Sequence, residues 1–451
     1  MAVGQDVVLG LLRSCFEVGV SSAQPSVGMA SIWAEQIKPW LEAKAPERQQ
    51  VWVVGAGKAA ASMVQALEAC AGDSERLKGV VVTRRGHGGP TRHVEVLEAA
   101  HPVPDEDGQR AARRMFALLS TVETNDPVIA LISGGGSSLL SVPVKEIPFV
   151  DLQQLNRSLL ACGAPIDEIN TVRKHVTQTL GGQMAQACRS PVFQLVISDV
   201  PGDDPAVIAS GPFCPDETTF EDAMQVIRRW GVQAPHSVLR YLEKGLRGQA
   251  PETPKAKSLV FRKVQTHTMA SNGLMLDAVA SHLSAMGFHV MSLGDGVEGE
   301  AADVAKVHAA MVRQVMAKAA GWPEVPVAIL SGGECSVTLT EAQMKQSRGG
   351  RNSEFLLSVA HELRALDERV PFAALAADTD GIDGVGGHAG ALILPGDLAQ
   401  AAARGLSARW HLEQHTSYDY FKAMDRLLVT GPTMTNVNDL RVLIVGLPKL
   451  Q

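Results

Sequence analysis

The sequence is poor in aromatic residues and contains no long apolar run. Aromatic side chains make up 4% of the 451 residues, whereas 42 residues are glycine, a balance that suits an α/β protein with many tight turns between strands and helices. No apolar stretch reaches the length of a membrane span, and the N-terminus lacks the basic region and cleavage-like site of a secretory signal. We therefore predict a cytoplasmic protein without a membrane partner.

Cysteine motifs and basic runs are also absent. The six cysteines form no CxxC pair and no metal-ligand spacing, so they are expected to be free thiols, as in a reducing compartment. The net charge is −7 and no segment is dense in lysine or arginine, which argues against nucleic acid as a partner. Since 451 residues exceed one typical hydrophobic core, two domains are expected.

Strand-like and helix-like segments alternate along the chain. The predicted strands are 79–83, 94–98, 192–199, 288–292, 327–331, 371–377 and 441–446, with two more at the start of the segments 51–63 and 130–141. The predicted helices are 5–20, 29–43, 105–120, 149–161, 167–187, 219–231, 236–246, 273–286, 299–319 and 353–365, with an alanine-rich helix beginning in the segment 51–63. This alternation predicts an α/β fold with two Rossmann-like three-layer domains and largely parallel sheets. The polar segment 247–258 is the predicted linker, which separates residues 1–250 from 251–451, and an active-site cleft is expected between the domains.

A glycine-rich loop follows the buried strand that is predicted at the start of the segment 130–141. It comprises Ser133, Gly134, Gly135, Gly136, Ser137 and Ser138. Glycine allows positive φ and lets backbone N–H groups approach a phosphate closely. A shorter version returns in the second half as Ser331, Gly332 and Gly333. Ordinary turns use the same residues, but the recurrence in both halves favours two ligand-binding loops.

The first strand leads into a second glycine turn. Gly55 to Ala60 satisfy the GxGxxG/A pattern of dinucleotide-binding proteins. However, the next strand ends in Thr83-Arg84-Arg85, where an acidic residue should bind the ribose. Lys58 lies in the turn at a helix start, where its ammonium adds to the positive end of the helix and suits a phosphoryl group or a carboxylate. A lysine merely exposed at a helix start is the alternative.

Further charged residues are predicted at loops and strand ends. Arg351 follows a glycine pair and could bind oxyanions bidentately, unless it is a solvated loop arginine. Asp199 and Asp380 follow predicted strands, and Mg²⁺ usually takes one or two carboxylates together with substrate phosphates. Turn formation is the alternative for both aspartates, and Asn438 could line a cleft or build a turn. Histidines are present at positions 101 and 175, but no Ser/His/Asp arrangement can be inferred.

A series of motifs resembles the class II glycerate 2-kinases. In order, they are GAGKAAASM, HPVPDEDG, LISGGGSSLL, RKHVTQTLGG, SDVPGDDPAVIASGP, GGRNSEFLL, DTDGIDG and VTGPTMTNVNDLR, and the resemblance covers nearly the whole chain. It implies a glycerate-kinase domain followed by a MOFRL domain. It also implies phosphorylation of D-glycerate at the 2-hydroxyl with Mg-ATP, giving 2-phosphoglycerate and ADP. Members of this family were long labelled hydroxypyruvate reductases.

The resemblance places the family's catalytic lysine on Lys58 and its essential arginine on Arg351. The chain differs from the family at Ser138, Cys335, Ser353 and Leu180. Leu180 replaces a family lysine, so we assign no phosphate role to the neighbouring RKH segment, 173–175.

The expected mechanism is phosphoryl transfer by positioning and electrostatics. ATP phosphates are expected at Gly55, Gly57 and the 133–138 loop, and Mg²⁺ at Asp199 or Asp380, with Asp199 also counted as catalytic. The expected substrate-binding residues are Lys58, Arg351, Ser331, Gly332, Gly333 and Asn438. Two alternatives stay open: an NAD(P)H-dependent hydroxypyruvate reductase and a non-catalytic sugar-acid-binding protein. A homodimer is also left open.

Overall fold

The computed structural model describes residues 5–44, 50–72, 76–340, 343, 347–365 and 371–448. Its contacts divide the chain into two compact units. The parallel-sheet unit comprises residues 25–198 and 203–269, and the mixed-sheet unit comprises residues 1–24, 199–202 and 270–451. The sequence-based boundary lies at 250/251, whereas these units divide after residue 269 and group the first helix with the second unit.

The parallel-sheet unit contains six strands, which the sequence order numbers β1 to β6. They are β1 (Val51–Ala56), β2 (Leu77–Arg84), β3 (Val94–Ala99), β4 (Val128–Ser133), β5 (Val192–Ile197) and β6 (Val264–Ala270). Their order in the sheet is β3-β2-β1-β4-β5-β6. The pairs β3–β2, β2–β1, β1–β4 and β4–β5 are all parallel, with Val54 opposite both Val80 and Ala130. This is the strand order of a Rossmann sheet, and its direction reverses between β1 and β4.

Helices cover this sheet on both faces. After α1, which belongs to the other unit, they are α2 (Pro25–Ile32), α3 (Lys38–Lys44), α4 (Ala60–Ala71), α5 (Glu106–Thr121), α6 (Gly136–Leu139), α7 (Phe149–Ala161), α8 (Ile166–Val176), α9 (Gln183–Ala187), α10 (Phe220–Arg229) and α11 (His236–Leu246). A π-helical turn (Trp33–Ile37) joins α2 to α3, and three short 3₁₀ turns lie at Pro201–Asp203, Ile208–Ser210 and Leu259–Lys263. Every residue of β4 and β5 is buried, as expected for parallel strands covered on both faces.

Helices α7, α8, α10 and α11 form a hydrophobic cluster of their own. Their apolar faces meet through residues such as Leu155, Val172, Phe220 and Leu242. Helix α10 begins with a capping box, in which the Thr219 hydroxyl accepts from the backbone N–H of Asp222 and the Asp222 carboxylate accepts from that of Thr219. The cluster fixes α8 from one side, which matters below because α8 ends in three buried cationic or titratable side chains.

The mixed-sheet unit begins with α1 (Gln5–Ser22), which packs against α12. Its other helices are α12 (Asn272–Ala285), α13 (Ala301–Met316), α14 (Arg351–Glu362), α15 (Asp397–Ala403), α16 (Ala408–Glu413) and α17 (Ser417–Met424). Its strands are β7 (His289–Ser292), β8 (Gly299–Glu300), β9 (Val327–Ser331), β10 (Cys335–Ser336), β11 (Phe372–Asp378), β12 (Gly390–Ile393), β13 (Leu427–Leu428) and β14 (Asp439–Val445).

The large sheet of this unit is mostly antiparallel, unlike the parallel sheet that was predicted. Its order is β13-β12-β11-β14-β9-β7, and only β7–β9 is a parallel pair, while β8 and β10 pair separately. Strands β9 and β11 run in the same direction, as a crossover through α14 requires. The last strand, β14, enters between them in the opposite direction. Strand β12 follows β11 through a loop without a helix, so it pairs antiparallel as well.

The α/β class is confirmed, as are most predicted elements. Helices 149–161 and 236–246 and strand 327–331 have the predicted bounds. The single helix predicted at 167–187 was wrong, because α8 stops at Val176 and Gly181 and Gly182 adopt positive φ before α9. Strands β6, β12 and β13 and helices α15 to α17 were not predicted, because they are short or lack a clear apolar period.

The cysteines of the described chain carry free thiols, as predicted. Among the described residues, no helix has both the length and the apolar character needed to cross a membrane.

Candidate active site

The turns after β1 and β4 meet where the strand order of the parallel sheet reverses. The backbone N–H of Lys58 donates to the carbonyl of Gly134 at 2.9 Å, and the N–H of Ala59 donates to the Ser133 hydroxyl at 3.1 Å. In open α/β sheets, ligands bind outside the carboxyl ends of the strands at such a reversal point. The two glycine motifs predicted from the sequence therefore form one composite turn.

Gly55 and Gly57 are explained by the close approach of β1 to β4. A Cβ on Gly57, where φ is +134°, would lie 2.1 Å from the Ser133 hydroxyl oxygen. A Cβ on Gly55 would lie 2.4 Å from the carbonyl oxygen of Leu131. In a dinucleotide fingerprint the second glycine lets the pyrophosphate approach the backbone. Here the corresponding space is filled by Ser133, which weakens the dehydrogenase alternative.

Lys58 lies beside Gly135 and His101. A Cβ on Gly135, where φ is +80°, would lie 3.0 Å from Nε2 of His101 and 3.5 Å from Cγ of Lys58. The absence of a side chain at Gly135 thus keeps the space between the lysine, the histidine and the backbone narrow but open. His101 follows β3, so the ends of three strands, β1, β3 and β4, contribute to this place.

The surroundings of His101 are strongly positive. Burial, which contributes most, and the charges of Lys58, Arg84, Arg173 and His87 together lower the pKa of His101 to about 4. These groups come from the ends of β1 and β2, the segment after β2 and the last turn of α8. A neutral imidazole amid several cations is the electrostatic setting of an anion-binding site.

The loop hydroxyls are used within the protein. Ser133 is fully buried, Ser137 shares a hydrogen bond of 2.8 Å with Ser210, and Ser138 donates to the Gly135 carbonyl at 3.2 Å. Helix α6 starts at Gly136, and the first N–H groups of a helix lack intrahelical acceptors. Backbone N–H groups, rather than hydroxyls, are therefore what this loop offers to a phosphate.

In the mixed-sheet unit, Arg351 is surrounded by carboxylates. Its Nε lies 3.0 Å from Oδ1 of Asp439, its Nη2 lies 2.7 Å from Oδ2 of Asp378, and its Nη1 lies 2.8 Å from Oε1 of Glu334. Burial lowers the pKa of Arg351, but the three carboxylates outweigh burial and raise the pKa well above its ordinary value. The sequence predicted a cation for phosphate, and the structure shows that its charge is already balanced within the unit.

Asp439 connects Arg351 to a buried network. It also accepts from Asn352 at 2.7 Å and from Arg441 at 2.6 Å. Arg441 is fully buried and donates in addition to the carbonyl of Gly332 at 2.6 Å. Asp378 on β11 pairs with Asp439 on β14, and Ser331 on β9 pairs with Arg441 on β14. Asp378, Asp439 and Gly332 therefore lie at the same end of these strands.

Asp199 and Asp380 lie close to the same end of these strands. The Asp199 carbonyl accepts from the Asn438 amide at 2.6 Å, and its carboxylate accepts from the Asn436 amide at 3.2 Å. Asp380 follows β11, and its carboxylate accepts from the N–H of Ile382 at 2.8 Å. Asn438 has a positive φ of 64°, so its amide is placed by a turn and holds the Asp199 backbone.

The second Ser-Gly-Gly loop has a structural environment of its own. The Ser331 hydroxyl lies 2.9 Å from Nε2 of His308, whose Nδ1 lies 2.8 Å from the Val304 carbonyl. Nδ1 must donate to that carbonyl, so Nε2 accepts the Ser331 proton. A Cβ on Gly332 would overlap Asn272, and one on Gly333 would lie 2.5 Å from the Val297 carbonyl. These glycines are required by packing.

No group of three or more His, Cys, Asp or Glu side chains is arranged to hold a metal within the described ranges. A site using one or two carboxylates with substrate phosphates is a different arrangement, and Asp199 and Asp380 offer hard oxygen ligands of that kind.

Sequence reasoning missed several residues of these clusters. Asp378, Asp439 and Glu334 were not selected as partners of Arg351, and Arg173 was assigned no role. The motifs DTDGIDG and NVNDLR contain or adjoin two of the aspartates, so proximity of those motifs was the available signal. Nothing in the sequence indicated that Arg173 is buried.

Comparison with known proteins identifies the family. Residues 11–243 match the family described as a domain of unknown function (DUF4147), and residues 327–439 match the MOFRL family. An Agrobacterium vitis protein named a hydroxypyruvate reductase is 42% identical, over 97% of this chain and 94% of its own.

One further relative and one solved structure are named as glycerate kinases. The glycerate 2-kinase of Pyrococcus horikoshii is 36% identical, over 88% of this chain and 87% of its own. The crystal structure of a glycerate kinase from Thermotoga maritima superimposes with a TM-score of 0.83 at 33% identity, covering 98% of this chain and 100% of that one. The chain therefore belongs to the glycerate 2-kinase family that joins a DUF4147 domain to a MOFRL domain.

Proposed function

We propose that this chain is an ATP-dependent kinase that transfers the γ-phosphoryl group to the 2-hydroxyl of D-glycerate, giving 2-phosphoglycerate and ADP. The observation that carries the proposal is the positive cluster at the reversal point of a parallel sheet, in a chain whose relatives are named glycerate 2-kinases. Phosphoryl transfer relies on positioning and charge stabilisation rather than on a covalent intermediate, which agrees with a site lacking a nucleophile triad.

The parallel-sheet unit supplies the phosphate site in this proposal. Gly135, the residue before α6, lies beside the Lys58 side chain, and backbone N–H groups of the loop are proposed to bind the phosphates there. Lys58 offsets charge on the transferring group, because an ammonium in a site shielded from water stabilises developing negative charge more than it does in water. Gly55 and Gly57 shape the turn that places Lys58 there, and the hydroxyls of Ser133, Ser137 and Ser138 stiffen it.

Mg²⁺ is proposed to bind Asp199 and Asp380. Both carboxylates lie at the edge where β11 ends and β14 begins, linked through Thr379 and Asn438. Hard oxygen donors, one or two in number, match the preference of Mg²⁺ bound together with phosphates. When bound, the ion would neutralise charge on the β- and γ-phosphates.

In this proposal Arg351 acts through the carboxylates with which it pairs. By holding Asp378 and Asp439 in fixed positions, it keeps two anionic oxygens at the end of the sheet near Asp199 and Asp380. An aspartate of this group accepts the proton of the 2-hydroxyl. Ser331, Gly332, Gly333 and Asn438 form the surrounding backbone, and their proposed contacts with the substrate are through main-chain groups.

The decisive experiment is product analysis by ³¹P NMR after the purified protein is incubated with Mg-ATP and D-glycerate. A 2-phosphoglycerate resonance is expected. The 3-isomer would keep the kinase but overturn the position of transfer. Absence of any phosphoester, together with oxidation of NADH by hydroxypyruvate, would establish the reductase instead; substrate binding without turnover of either kind would identify a sugar-acid-binding protein.

We further propose a cytoplasmic location, supported by the free thiols of the described chain. Fractionation of source cells with an antibody against the protein would test it. The homodimer left open by the sequence is tested by sedimentation of the purified protein.

A further inference from the structure

Arg173 is buried at the end of α8 without a carboxylate. Only 5% of the residue is exposed. Its Nε donates to the side-chain oxygen of Asn156 at 2.9 Å, and its Nη1 donates to that of Asn170 at 3.3 Å. Both partners are neutral amides. Among the described residues, no Asp or Glu forms an ion pair with Arg173.

Unlike Arg173, the neighbouring side chains on the same turn lie near carboxylates. Lys174 lies 3.4 Å from Asp216, and His175 lies 3.3 Å from Glu252. Arg441, buried in the other unit, lies 2.6 Å from Asp439. The fold thus supplies carboxylates to other buried basic groups but leaves Arg173 with its charge uncompensated.

The helix end cannot account for this arrangement. The gain of a last-turn cation from the helix dipole is smaller than the cost of burying an unpaired ion. The cost is visible in the pKa of Arg173, which burial lowers to about 10. A group that weakens the folded protein in this way is typical of functional sites, where the missing partner arrives with a ligand.

The position and orientation of Arg173 fit that explanation. Its charge acts on His101, as do those of Lys58 and Arg84. Its remaining amino group, Nη2, donates to no group in the described chain and is not among the fully buried unpartnered atoms, so it reaches an opening. The two asparagines fix the guanidinium plane while leaving one edge for an oxyanion.

We infer that Arg173 is an anion-binding residue of the parallel-sheet unit, whose counter-ion is an oxyanion of the bound substrate. This inference rests on the proposed function for its ligands: the oxyanion is a phosphate of ATP or the carboxylate of glycerate. Asn156 and Asn170 are positioning residues that orient the guanidinium. The RKH segment (173–175), to which no phosphate role was assigned from the sequence, thereby joins the site.

Isothermal titration calorimetry of the full-length protein tests the inference. The probes are inorganic phosphate, ATP without metal and D-glycerate, each titrated alone into wild type, Arg173→Gln and Arg173→Lys. Glutamine keeps a donor for Asn156 but removes the charge. Since a hydrogen bond to a charged group contributes about 1.5–3 kcal/mol, we expect Arg173→Gln to raise the Kd of the recognised anion about 10- to 100-fold, with partial recovery in Arg173→Lys.

The three titrations distinguish the two possible sources of the oxyanion, the phosphates of ATP and the carboxylate of glycerate. Weaker phosphate and ATP binding with unchanged glycerate binding assigns Arg173 to the nucleotide; the reverse assigns it to the carboxylate. The inference is overturned if all three affinities stay within twofold of wild type, or if wild type binds none of the three at millimolar concentration. Arg114→Gln is the matched control, because Arg114 is an exposed arginine of the same unit that already pairs with Glu95. An equal loss of anion affinity in Arg114→Gln would show that the loss in Arg173→Gln reflects only the change in net charge, and this result would also overturn the inference.

Thermal unfolding without ligand distinguishes a binding role from a structural one. Because Arg173 is an unpaired buried charge, Arg173→Gln is expected to unfold at the same temperature as wild type or higher. A lower unfolding temperature together with unchanged anion affinity would mark a purely structural residue. If wild type gives no phosphoester by ³¹P NMR yet binds anions through Arg173, the proposed function fails while the anion site stands; the opposite combination leaves the kinase and removes the anion site.

Discussion

Arg351 and Asp439 are joined by two hydrogen bonds, with Nε of the arginine 3.0 Å from Oδ1 and 3.1 Å from Oδ2 of the aspartate. Asp439 is fully buried, whereas 24% of the Arg351 side chain is exposed. The arginine thus lies between a buried carboxylate and solvent, and it compensates the charge of Asp439 together with those of Asp378 and Glu334.

Replacing Arg351 with alanine is expected to affect both stability and turnover. Removal of one partner from a buried ion pair leaves the other charge uncompensated, so the free energy of unfolding should fall by about 2–4 kcal/mol, below the full buried-pair value because the side chain is partly exposed. Urea unfolding measures the change in stability, and steady-state kinetics measure the change in turnover. Arg409→Ala, which breaks the exposed pair with Glu413, should change stability by less than about 0.5 kcal/mol. Equal, small effects of both variants would contradict the role given to Arg351.

Replacing Lys58 with alanine is expected to lower kcat by at least about 100-fold, because it removes a charge from the developing phosphoryl transition state. The folded structure should persist, since the Lys58 backbone holds the contact with Gly134. Circular dichroism verifies folding, and a coupled ADP assay measures turnover. Turnover like that of wild type in a folded Lys58→Ala protein would remove Lys58 from the site.

The Gly57→Ala substitution tests the close approach of β1 and β4. The new methyl group would meet the Ser133 hydroxyl in a backbone with positive φ, so we expect the free energy of unfolding to fall by about 2–4 kcal/mol. Gly86 is the matched control, because φ is +81° but nothing lies within 4 Å of a Cβ there. Gly86→Ala should cost about 1–2 kcal/mol from the backbone conformation alone. A cost no greater at Gly57 than at Gly86 would contradict the packing explanation.

Glu354 is expected to make stability depend on pH. Burial, together with smaller contributions from Asp383 and Glu300, raises its pKa to about 8, while the unfolded chain releases this proton near pH 4.5. Between these values the folded protein binds more protons, so the free energy of unfolding falls as pH rises, by at most about 1.4 kcal/mol per pH unit.

The Glu354→Gln substitution should remove that slope. The best interval is pH 6.5 to 8, because burial lowers the pKa of His415, 3.0 Å from Glu354, and so moves the titration of the histidine away from this interval. Urea midpoints at four pH values in wild type and variant give the two slopes. Parallel slopes would show that Glu354 is already ionised in the folded protein.

Metal binding at Asp199 and Asp380 can be examined without turnover. Electron paramagnetic resonance of Mn²⁺ with ATP should show weaker binding in Asp199→Asn and Asp380→Asn, since each removes a charged oxygen ligand. Asp303→Asn, which changes an exposed aspartate paired with Lys306, should bind Mn²⁺ like wild type. Binding unchanged in both site variants would remove these aspartates from the metal site.

The sequence predicted five strands of the first sheet but not β6, because β4 and β5 are buried and almost wholly apolar, whereas most of β6 is polar or partly exposed. It predicted the second sheet less well for a physical reason: β14 is an ordinary buried strand, and nothing in its composition shows that it enters between β9 and β11. Short strands such as β12 and β13 give too few residues for an alternating pattern.

By itself, the sequence determined the α/β class, the glycine turn that presents Lys58 and the family motifs, because these depend on local residue order. Only the tertiary structure decided which charges are compensated. Arg351 is bonded to Asp439, 88 positions away, and Arg173 is left with two asparagines. Charge compensation depends on the distances between segments that are remote in the chain, and those distances are set by packing rather than by local sequence.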